Sequence, residues 1–358
     1  MLQYNHVMLL YIHIPFCDSK CAYCSFNSYV DKFALRRSYM EALQQQLAFE
    51  LIRFDVREGA IETLFIGGGT PSTVAPELYA PLFETLRPYL AQGAEITSEA
   101  NPNSATASWL GGMRALGVNR ISFGVQSFND RKLKLLARAH NTDDALQAVR
   151  TAKEVGFEHL SLDLIYAVAG DTKELLQHDL ETAFSLPIDH LSAYALTIEE
   201  GTPFSSAPEM ASEQLELTQW LFETIEAHGF EQYEISNFGI YRSRHNLGYW
   251  QYKDYIGLGS GAVGFLKDTR YYPTPSVEGY IADPLDIREE RLDAEAIKTE
   301  KLFLGLRSIV GVDAAILEPE EKRRADLLVA EGKLTRESDR YRNPDYLLSD
   351  ELALFILA

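Results

Sequence analysis

Three cysteines, Cys17, Cys21 and Cys24, stand in the segment HIPFCDSKCAYCSFNSY, and the 358-residue chain has no others. Their spacing, Cys-x3-Cys-x2-Cys, lets three thiolates converge from one Pro-bounded loop. An odd, clustered set is not a disulfide framework. Three chemistries are open to it. The thiols could be free and buried. They could bind zinc, with His13 as the fourth ligand that a structural zinc site requires. They could hold an iron–sulfur cluster. A four-iron cluster normally takes four thiolates, so three would leave one iron open to a small ligand bearing amino and carboxylate groups.

Other residue types gather near the same place. Leu64–Pro71 (LFIGGGTP) runs from a strand into three glycines, whose bare backbone can approach a ligand closely. Tyr11 and His13 share one face of the first strand, with Tyr11 toward the cysteine end, because strand side chains alternate. Glu99 ends an otherwise apolar strand and could accept ribose hydroxyls or pair with a cation. Gln126 offers an amide just past ISFGVQSF, and Arg138 lies in LLARAH. Asp163, inside LSLDLIY, needs a partner, because an unpaired buried charge is costly. Each of these residues taken alone also has a structural reading.

The elements that must position them follow a βαβ rhythm. Strands are expected at Met8–Ile14, Thr63–Ile66, Glu95–Glu99, Arg120–Gly124, Leu160–Ile165 and His190–Leu196. Helices are expected at Phe33–Phe54, Pro76–Leu90, Ala105–Leu116, Asp143–Val155 and Thr172–Phe184. Alternation of this kind builds a parallel sheet, here curved into a full or partial barrel. Ligands then sit at the carboxyl ends of the strands, where each residue above falls. Pro203–Pro208 reads as a loop and Glu213–His228 as an amphipathic helix. Tyr233–Phe265 is rich in aromatics and glycine. Helices are expected at Lys298–Ser308, Pro319–Glu331 and Ser349–Leu357, with a short hairpin in EGKLTRESDRYRNP. The division expected is 1–230 for the barrel, 231–293 for additional strands and loops, and 294–358 for a small helical, winged-helix-like unit.

The charge balance excludes some partners. A net charge of −19 repels polyanions, so nucleic acid is not expected, and membranes are expected only through partner proteins. Arg291–Ala358 carries 11 Lys/Arg against 14 Asp/Glu, which argues against a phosphate-binding face on the tail. The N-terminus shows no basic, apolar and small-residue succession of a leader, and no stretch approaches the roughly 20 apolar residues of a membrane helix. With its unpaired cysteines, the chain is expected in the cytoplasm.

The cysteine spacing, with Tyr23 just before the third cysteine, resembles the radical S-adenosylmethionine (SAM) signature. The resemblance is to the coproporphyrinogen-III-dehydrogenase-like branch and extends over nearly the whole chain. It runs through YIHIPFCDSKCAYCSF, GGGTPS, SEANP, RISFGVQSFND, LARAH, DLIY, HLSAYALTIEEGTPF, YEISNF, RHNLGYW, YIGLGSGAVG and LFLGLR. It implies an α/β fold, a partial (β/α)6-type barrel with extra strands and a small helical C-terminal domain. It also implies that Cys17, Cys21 and Cys24 hold a [4Fe-4S] cluster. Its open iron is chelated by SAM, and an electron from the cluster cleaves SAM to a 5′-deoxyadenosyl radical. The positions matching Tyr11, Gly68, Gly69, Thr70, Glu99, Gln126, Arg138 and Asp163 contact SAM in that family, and Tyr23 and Phe26 are assigned to the same site.

Two kinds of protein share this scaffold, the dehydrogenase and the HemW-type heme chaperone. The dehydrogenase has a cysteine two residues after the third, where this chain has Phe26, and a sizeable extension before the first. The chaperone carries His-Asn-x-x-Tyr-Trp, present here as His245-Asn246-Leu247-Gly248-Tyr249-Trp250. The resemblance therefore implies heme binding through His245, Tyr249 and Trp250, without coproporphyrinogen dehydrogenase activity; the alternative it leaves is the dehydrogenase itself, an oxygen-independent oxidative decarboxylation of porphyrinogen propionates. It also implies an electron donor and heme-accepting partners such as respiratory proteins. A His can ligate heme iron, and Arg242 and Arg244 could meet propionates. One departure stands at the site rim: the family pattern Gly-Leu-Pro-Gly after DLIY is Ala167-Val168-Ala169-Gly170 here.

Overall fold

The computed structural model describes residues 7–212 and 214–358. Residues 1–6 of the expected leaderless N-terminus and Glu213, the first residue of an expected helix, lie outside them. The first half alternates as the pattern requires: β1 Met8–Ile14, α1 Arg36–Arg53, β2 Ile61–Gly68, α2 Pro76–Leu86, β3 Leu90–Ala100, α3 Ala107–Leu116, β4 Arg120–Gln126, α4 Asp130–Leu135, α5 Thr142–Val155, β5 His159–Tyr166, α6 Lys173–Phe184 and β6 His190–Ala195. There follow α7 Leu215–Ala227, β7 Glu231–Gln232, β8 Asn237–Gly239, α8 Arg244–Trp250, β9 Tyr255–Leu258, β10 Gly264–Leu266, β11 Thr269–Pro273, α9 Val277–Ala282 and β12 Ile287–Arg291.

All twelve strands form one sheet in the order β12-β11-β10-β9-β1-β2-β3-β4-β5-β6-β8-β7. Strands β1 to β6 are parallel in chain order, and β9 joins β1 in parallel on the other side. The ends β12 and β7 do not pair, so the barrel is partial rather than closed. Helices cover the outer face over one large apolar core that includes Leu10, Ile12, Leu43, Leu64, Leu110, Ile121 and Leu162. Caps fix the helix ends: Thr106 and Gly117 bracket α3, and an Asn141/Asp144 capping box and Gly156 bracket α5.

The chain ends in α10 Ala294–Leu306, β13 Val312–Asp313, α11 Pro319–Ala330, β14 Thr335–Glu337, β15 Arg340–Arg342 and α12 Ser349–Leu357. The three short strands pair in the order β13-β15-β14 and pack with these helices around Leu302, Leu306, Leu328, Tyr341 and Ile356. The hairpin expected in EGKLTRESDRYRNP is β14–β15.

Three expectations change. The helix from Pro76 stops at Leu86, and Leu90 starts β3: Arg87 keeps helical backbone, but Pro88 has no amide to continue the ladder. Pro203–Pro208 is not an unstructured loop but leads two 3-10 turns, Pro203–Ser206 and Pro208–Met210, each opened by its proline. The His-Asn-x-x-Tyr-Trp segment, expected among strands and loops, is helix α8. Its Ser243 N-cap accepts from the Asn246 amide.

Candidate functional site

The cysteine loop leaves the carboxyl end of β1 and is tied at its base and tip. Cys17 N donates to Tyr29 O and Tyr29 N to Pro15 O, closing the base. Ala22 N donates to Leu136 O and Phe204 N to Ala22 O, pinning the tip. Lys20 Nζ spans the loop to Phe26 O at 2.7 Å and Ser28 Oγ at 2.8 Å. Cys17 is buried, while Cys21 and Cys24 are half-buried. Burial pushes the Cys17 and Cys24 thiols up.

A polar chain crosses the strand ends behind these thiols. Thr70 Oγ1 donates to Cys17 Sγ at 3.4 Å, and Asn101 Nδ2 donates to Thr70 Oγ1 at 3.1 Å. Arg138 donates to Asn101 Oδ1 at 2.7 Å, to Gly124 O at 2.5 Å and to Cys21 Sγ at 3.1 Å. Its Nη1 also lies 3.5 Å from Tyr23 Oη. The ends of β2, β3 and β4 are thereby linked to two of the three thiols. Glycine is required here. A Cβ on Gly69 would lie 2.8 Å from Phe16 O and 3.0 Å from Cys17 Sγ. A Cβ on Gly68, at φ +113°, would lie 2.6 Å from the His13 ring.

Next to this loop is a cavity of about 610 Å³, within the usual range of a ligand pocket. Tyr11, Gly68, Glu99 and Phe26 line it beside the loop. His13 Nε2 donates to Asn27 O at 2.8 Å, so Nδ1 must accept from Tyr11 Oη, 3.0 Å away. Glu99 Oε2 accepts from Gly68 N at 3.1 Å. Burial, and then the charge of Asp163, push its carboxyl up to about 8. Asp163 is itself raised by burial, and Ser122 Oγ donates to it at 3.4 Å. Buried Arg120, at the start of β4, is the cation whose field lowers both acids.

The cavity continues over an aromatic wall. Phe65 stacks between Tyr11 and His245, with ring centroids 6.2 and 5.1 Å away. Tyr249 meets His245 and Tyr255 edge-on, both at 4.8 Å. Phe265 follows, 6.1 Å from Tyr255 and 5.0 Å from Tyr252. His245 is 1% exposed and shares hydrogen bonds with Thr63 Oγ1 at Nδ1, 2.6 Å, and with Tyr249 Oη at Nε2, 3.0 Å. Burial, then the Arg120 charge, lowers its pKa to about 3, so the ring is neutral.

Helix α8 is seated by a carboxylate from the barrel. Buried Glu95 of β3 accepts from Arg244 N at 2.8 Å, His245 N at 3.0 Å and Tyr241 Oη at 2.8 Å. A negative charge at the helix start satisfies its free amides. Gly248 lets α8 sit down on β1, since a Cβ there would meet Leu9 Cδ1 at 2.5 Å.

Comparison with known proteins decides the family. Residues 11–183 match the model of the radical SAM superfamily. The chain is 36% identical to the "Heme chaperone HemW" of Bacillus subtilis, over 84% of each chain. It is 34% identical to that of Mycobacterium tuberculosis, over 92% of this chain and 89% of the other. It is 40% identical to that of Escherichia coli, over 71% and 69%. The chain belongs to the HemW family of radical SAM proteins. Its fold matches the solved coproporphyrinogen III oxidase HemN of Escherichia coli, described as a radical SAM enzyme. That match has a TM-score of 0.82 at 20% identity, covering 99% of this chain and 91% of the other.

Membership of the HemW family implies a [4Fe-4S] cluster and SAM, and the thiol donor set fits the cluster. Desolvated thiols ionise reluctantly without a metal, and Arg138 and Lys20 supply positive charge beside them. Among the described residues no three His, Cys, Asp or Glu side chains converge on a single metal ion. His13 spends both ring nitrogens on Tyr11 and Asn27. With both nitrogens engaged, His13 is not free as a fourth zinc ligand, whereas a cluster takes one thiolate per iron.

The expected site residues fall into two groups. Cys17, Cys21, Tyr23, Thr70 and Arg138 meet around the loop, and Gly69 packs against Cys17. Tyr11, Phe26, Gly68, Glu99, His245 and Tyr249 line the cavity. Gln126 sits behind Gly124 at φ +70°, a conformation few non-glycine residues adopt. Asp163 reaches the cavity only through its charge on Glu99. Three of the residues expected at a heme site stand off this cavity. Trp250 is half-buried and is not on the cavity wall. Arg242 pairs with Glu231 at 2.6 Å, and Arg244 Nη1 donates to Gly93 O at 2.8 Å; neither lines the cavity. Residues 242–244 lead into the α8 N-terminus, whose amides are held by Glu95. Sequence reasoning missed Asn101, Glu95 and Arg120. The signal available was a polar residue inside or just after an apolar strand, in SEANP, EITSEA and RISF.

Proposed function

We propose that this chain binds heme and passes it to acceptor proteins, carrying a [4Fe-4S] cluster and SAM beside the heme site. The observation that carries the reading is the continuous aromatic wall running from Tyr11, beside the cysteine loop, to Tyr252. It offers flat apolar surface to a porphyrin and presents His245 within it. The relatives' name, heme chaperone, supports the same reading.

In this account Cys17, Cys21 and Cys24 hold three irons, and the backbone of Gly68, Gly69 and Thr70 receives the methionine end of SAM. Tyr11, Tyr23, Phe26, Gln126 and Arg138 frame the cofactor, and Glu99 takes the ribose or a cation, with Asp163 tuning its charge. The bound cluster supplies the electron that cleaves SAM, should cleavage form part of the cycle. His245 and Tyr249 contact the heme, and for His245 to ligate iron the Tyr249 hydroxyl must leave Nε2. Residues 1–230 serve the cofactor and give Tyr11 and Phe65 to the aromatic wall, and 231–293 supply the rest of it. Residues 294–358 close the cavity through Glu300 and Leu304. Three unpaired thiols suit a reducing compartment such as the cytoplasm. Among the described residues no helix is long and apolar enough to cross a membrane.

Phe26, 63% exposed and on the cavity wall, stands where the dehydrogenase type has a cysteine, so no porphyrinogen decarboxylation is expected. The test is an anaerobic assay of reconstituted protein with coproporphyrinogen III, SAM and a reductant. No protoporphyrinogen is expected, and its formation would replace the chaperone reading with a dehydrogenase.

A further inference from the structure

The end of the cavity away from the cysteine loop carries two cations. Arg270 of β11 and Lys253, in the turn before β9, both line it. Their position follows from the sheet register. Leu9 pairs with Tyr255, Tyr255 with Phe265, and Phe265 with Arg270. Residues paired across strands share a face, so Arg270 stands on the face that bears Tyr11. It is three strands to the side of β1, about 14 Å at the usual strand spacing. The aromatic wall fills the space between.

Both cations are held by acids. Lys253 Nζ lies 2.6 Å from Glu62 Oε2. Arg270 Nη2 pairs with Glu300 of α10, whose other oxygen accepts from Tyr252 Oη at 2.7 Å. Arg270 Nη1 lies 3.9 Å from Glu290. These side chains are about 30% exposed, so water and ligands reach them. In a chain of net charge −19, two cations at the mouth of an apolar cavity single out an anionic edge on whatever enters. A guanidinium has five N–H donors, so Arg270 can accept a ligand carboxylate beside Glu300 or in its place.

We infer that Arg270 and Lys253 receive the carboxylates of a flat ligand whose face lies on Tyr249, Tyr255 and Phe265. The carboxylate edge then points away from the cluster. Glu300 is the internal competitor: it holds Arg270 when the ligand is absent and yields it when a carboxylate arrives. Because Glu300 belongs to α10, ligand binding also loosens a tie between the C-terminal segment and the lateral strands. This assignment rests on the heme reading and replaces the expected pairing of propionates with Arg242 and Arg244.

The test compares heme with heme dimethyl ester, which keeps the ring and lacks both charges. The full chain, reconstituted anaerobically, is titrated with each and followed by absorbance. Heme is expected to bind at least about tenfold tighter than the diester, the difference that one charge-assisted hydrogen bond provides. The double variant Arg270→Gln with Lys253→Gln should lose that preference and keep its affinity for the diester. Glu300→Gln, which frees Arg270 without removing it, should tighten heme and leave the diester unchanged. Wild-type protein that binds heme but shows no preference overturns the inference alone, as does a double variant that keeps the preference. No saturable binding of either ligand overturns the heme reading and this inference with it.

Discussion

At the cluster end of the cavity the parts are close in sequence: three thiols lie within eight residues, and Gly68, Gly69 and Thr70 follow one another at the end of β2. At the aromatic end they are scattered. His245 and Tyr249 come from α8, Phe65 from β2, Tyr255 and Phe265 from two lateral strands, Arg270 from β11 and Glu300 from α10. The first end is fixed by covalent neighbourhood and steric necessity, because a Cβ at Gly69 would strike Phe16 O and Cys17 Sγ. The second is held by packing and a few buried polar ties, chiefly Glu95 under α8 and Glu300 on Arg270. One end therefore depends on residue identity, and the other on how several elements dock.

The largest effect should break the first end alone. Cys17→Ser is expected to reduce iron from about four per chain to near zero, measured by iron and sulfide analysis after anaerobic reconstitution. The protein should still fold, since Cys17 is small and its loop is tied by backbone bonds at base and tip. If α8 docks independently of the cluster, a near-ultraviolet circular dichroism signal from the aromatic wall should survive.

Glu95→Gln addresses the other end. The amide keeps the shape but removes the charge that four donors, Tyr241 Oη, Ser243 Oγ and the amides of Arg244 and His245, share at the start of α8. A loss of about 2–3 kcal/mol is expected, read as a lower melting temperature, with iron content unchanged. Loss of iron in this variant would mean that the two ends are not separable.

Next comes a pH dependence. With the Glu99 pKa near 8, the carboxyl is protonated at pH 7. Ribose hydroxyls and cations both favour its ionised form, so on the proposed role of Glu99 SAM binding should release a proton. Affinity should rise with pH by up to about tenfold per unit below 8 and level off above it. Calorimetry between pH 6.5 and 9 checks this, and Glu99→Gln should flatten the profile. The same residue acts oppositely on folding. A raised folded pKa gives stability below the unfolded value near 4.5 that is lost as pH rises through 8.

How much was legible follows the same division. The alternation of strands and helices showed in apolar periodicity, and β1 and α12 fell on their expected residues. The cysteines and the glycine run stood out by type and spacing, Tyr11 and Glu99 only through the family resemblance, and Tyr11, Gly68 and Glu99 share one cavity wall. Arg270 and Glu300 were not: each reads as an ordinary surface charge until the β9–β10–β11 register and the docking of α10 bring them to the cavity. Helix α8 was misread because its stabiliser, Glu95, lies about 150 residues upstream. Trp250 was placed at a heme site by the family resemblance, and α8 carries it off the wall of this cavity.

The rim departure tests the smallest effect. Ala167 adopts φ +59°, where the family pattern has glycine. An alanine Cβ there is strained by about 1 kcal/mol or more. Ala167→Gly should raise stability by about 0.5–1 kcal/mol after the added flexibility of the unfolded chain is deducted, measured by thermal melting. A destabilised variant would show that Ala167 packing outweighs its strain.

The central claim is that the aromatic-walled cavity holds heme. Titration of the reconstituted wild-type chain with heme, followed by absorbance and paired with Tyr249→Ala, tests it most directly. Saturation at about one heme per chain, weakened in the variant, is the result expected. Binding that is unsaturable, or identical in wild type and Tyr249→Ala, would contradict it.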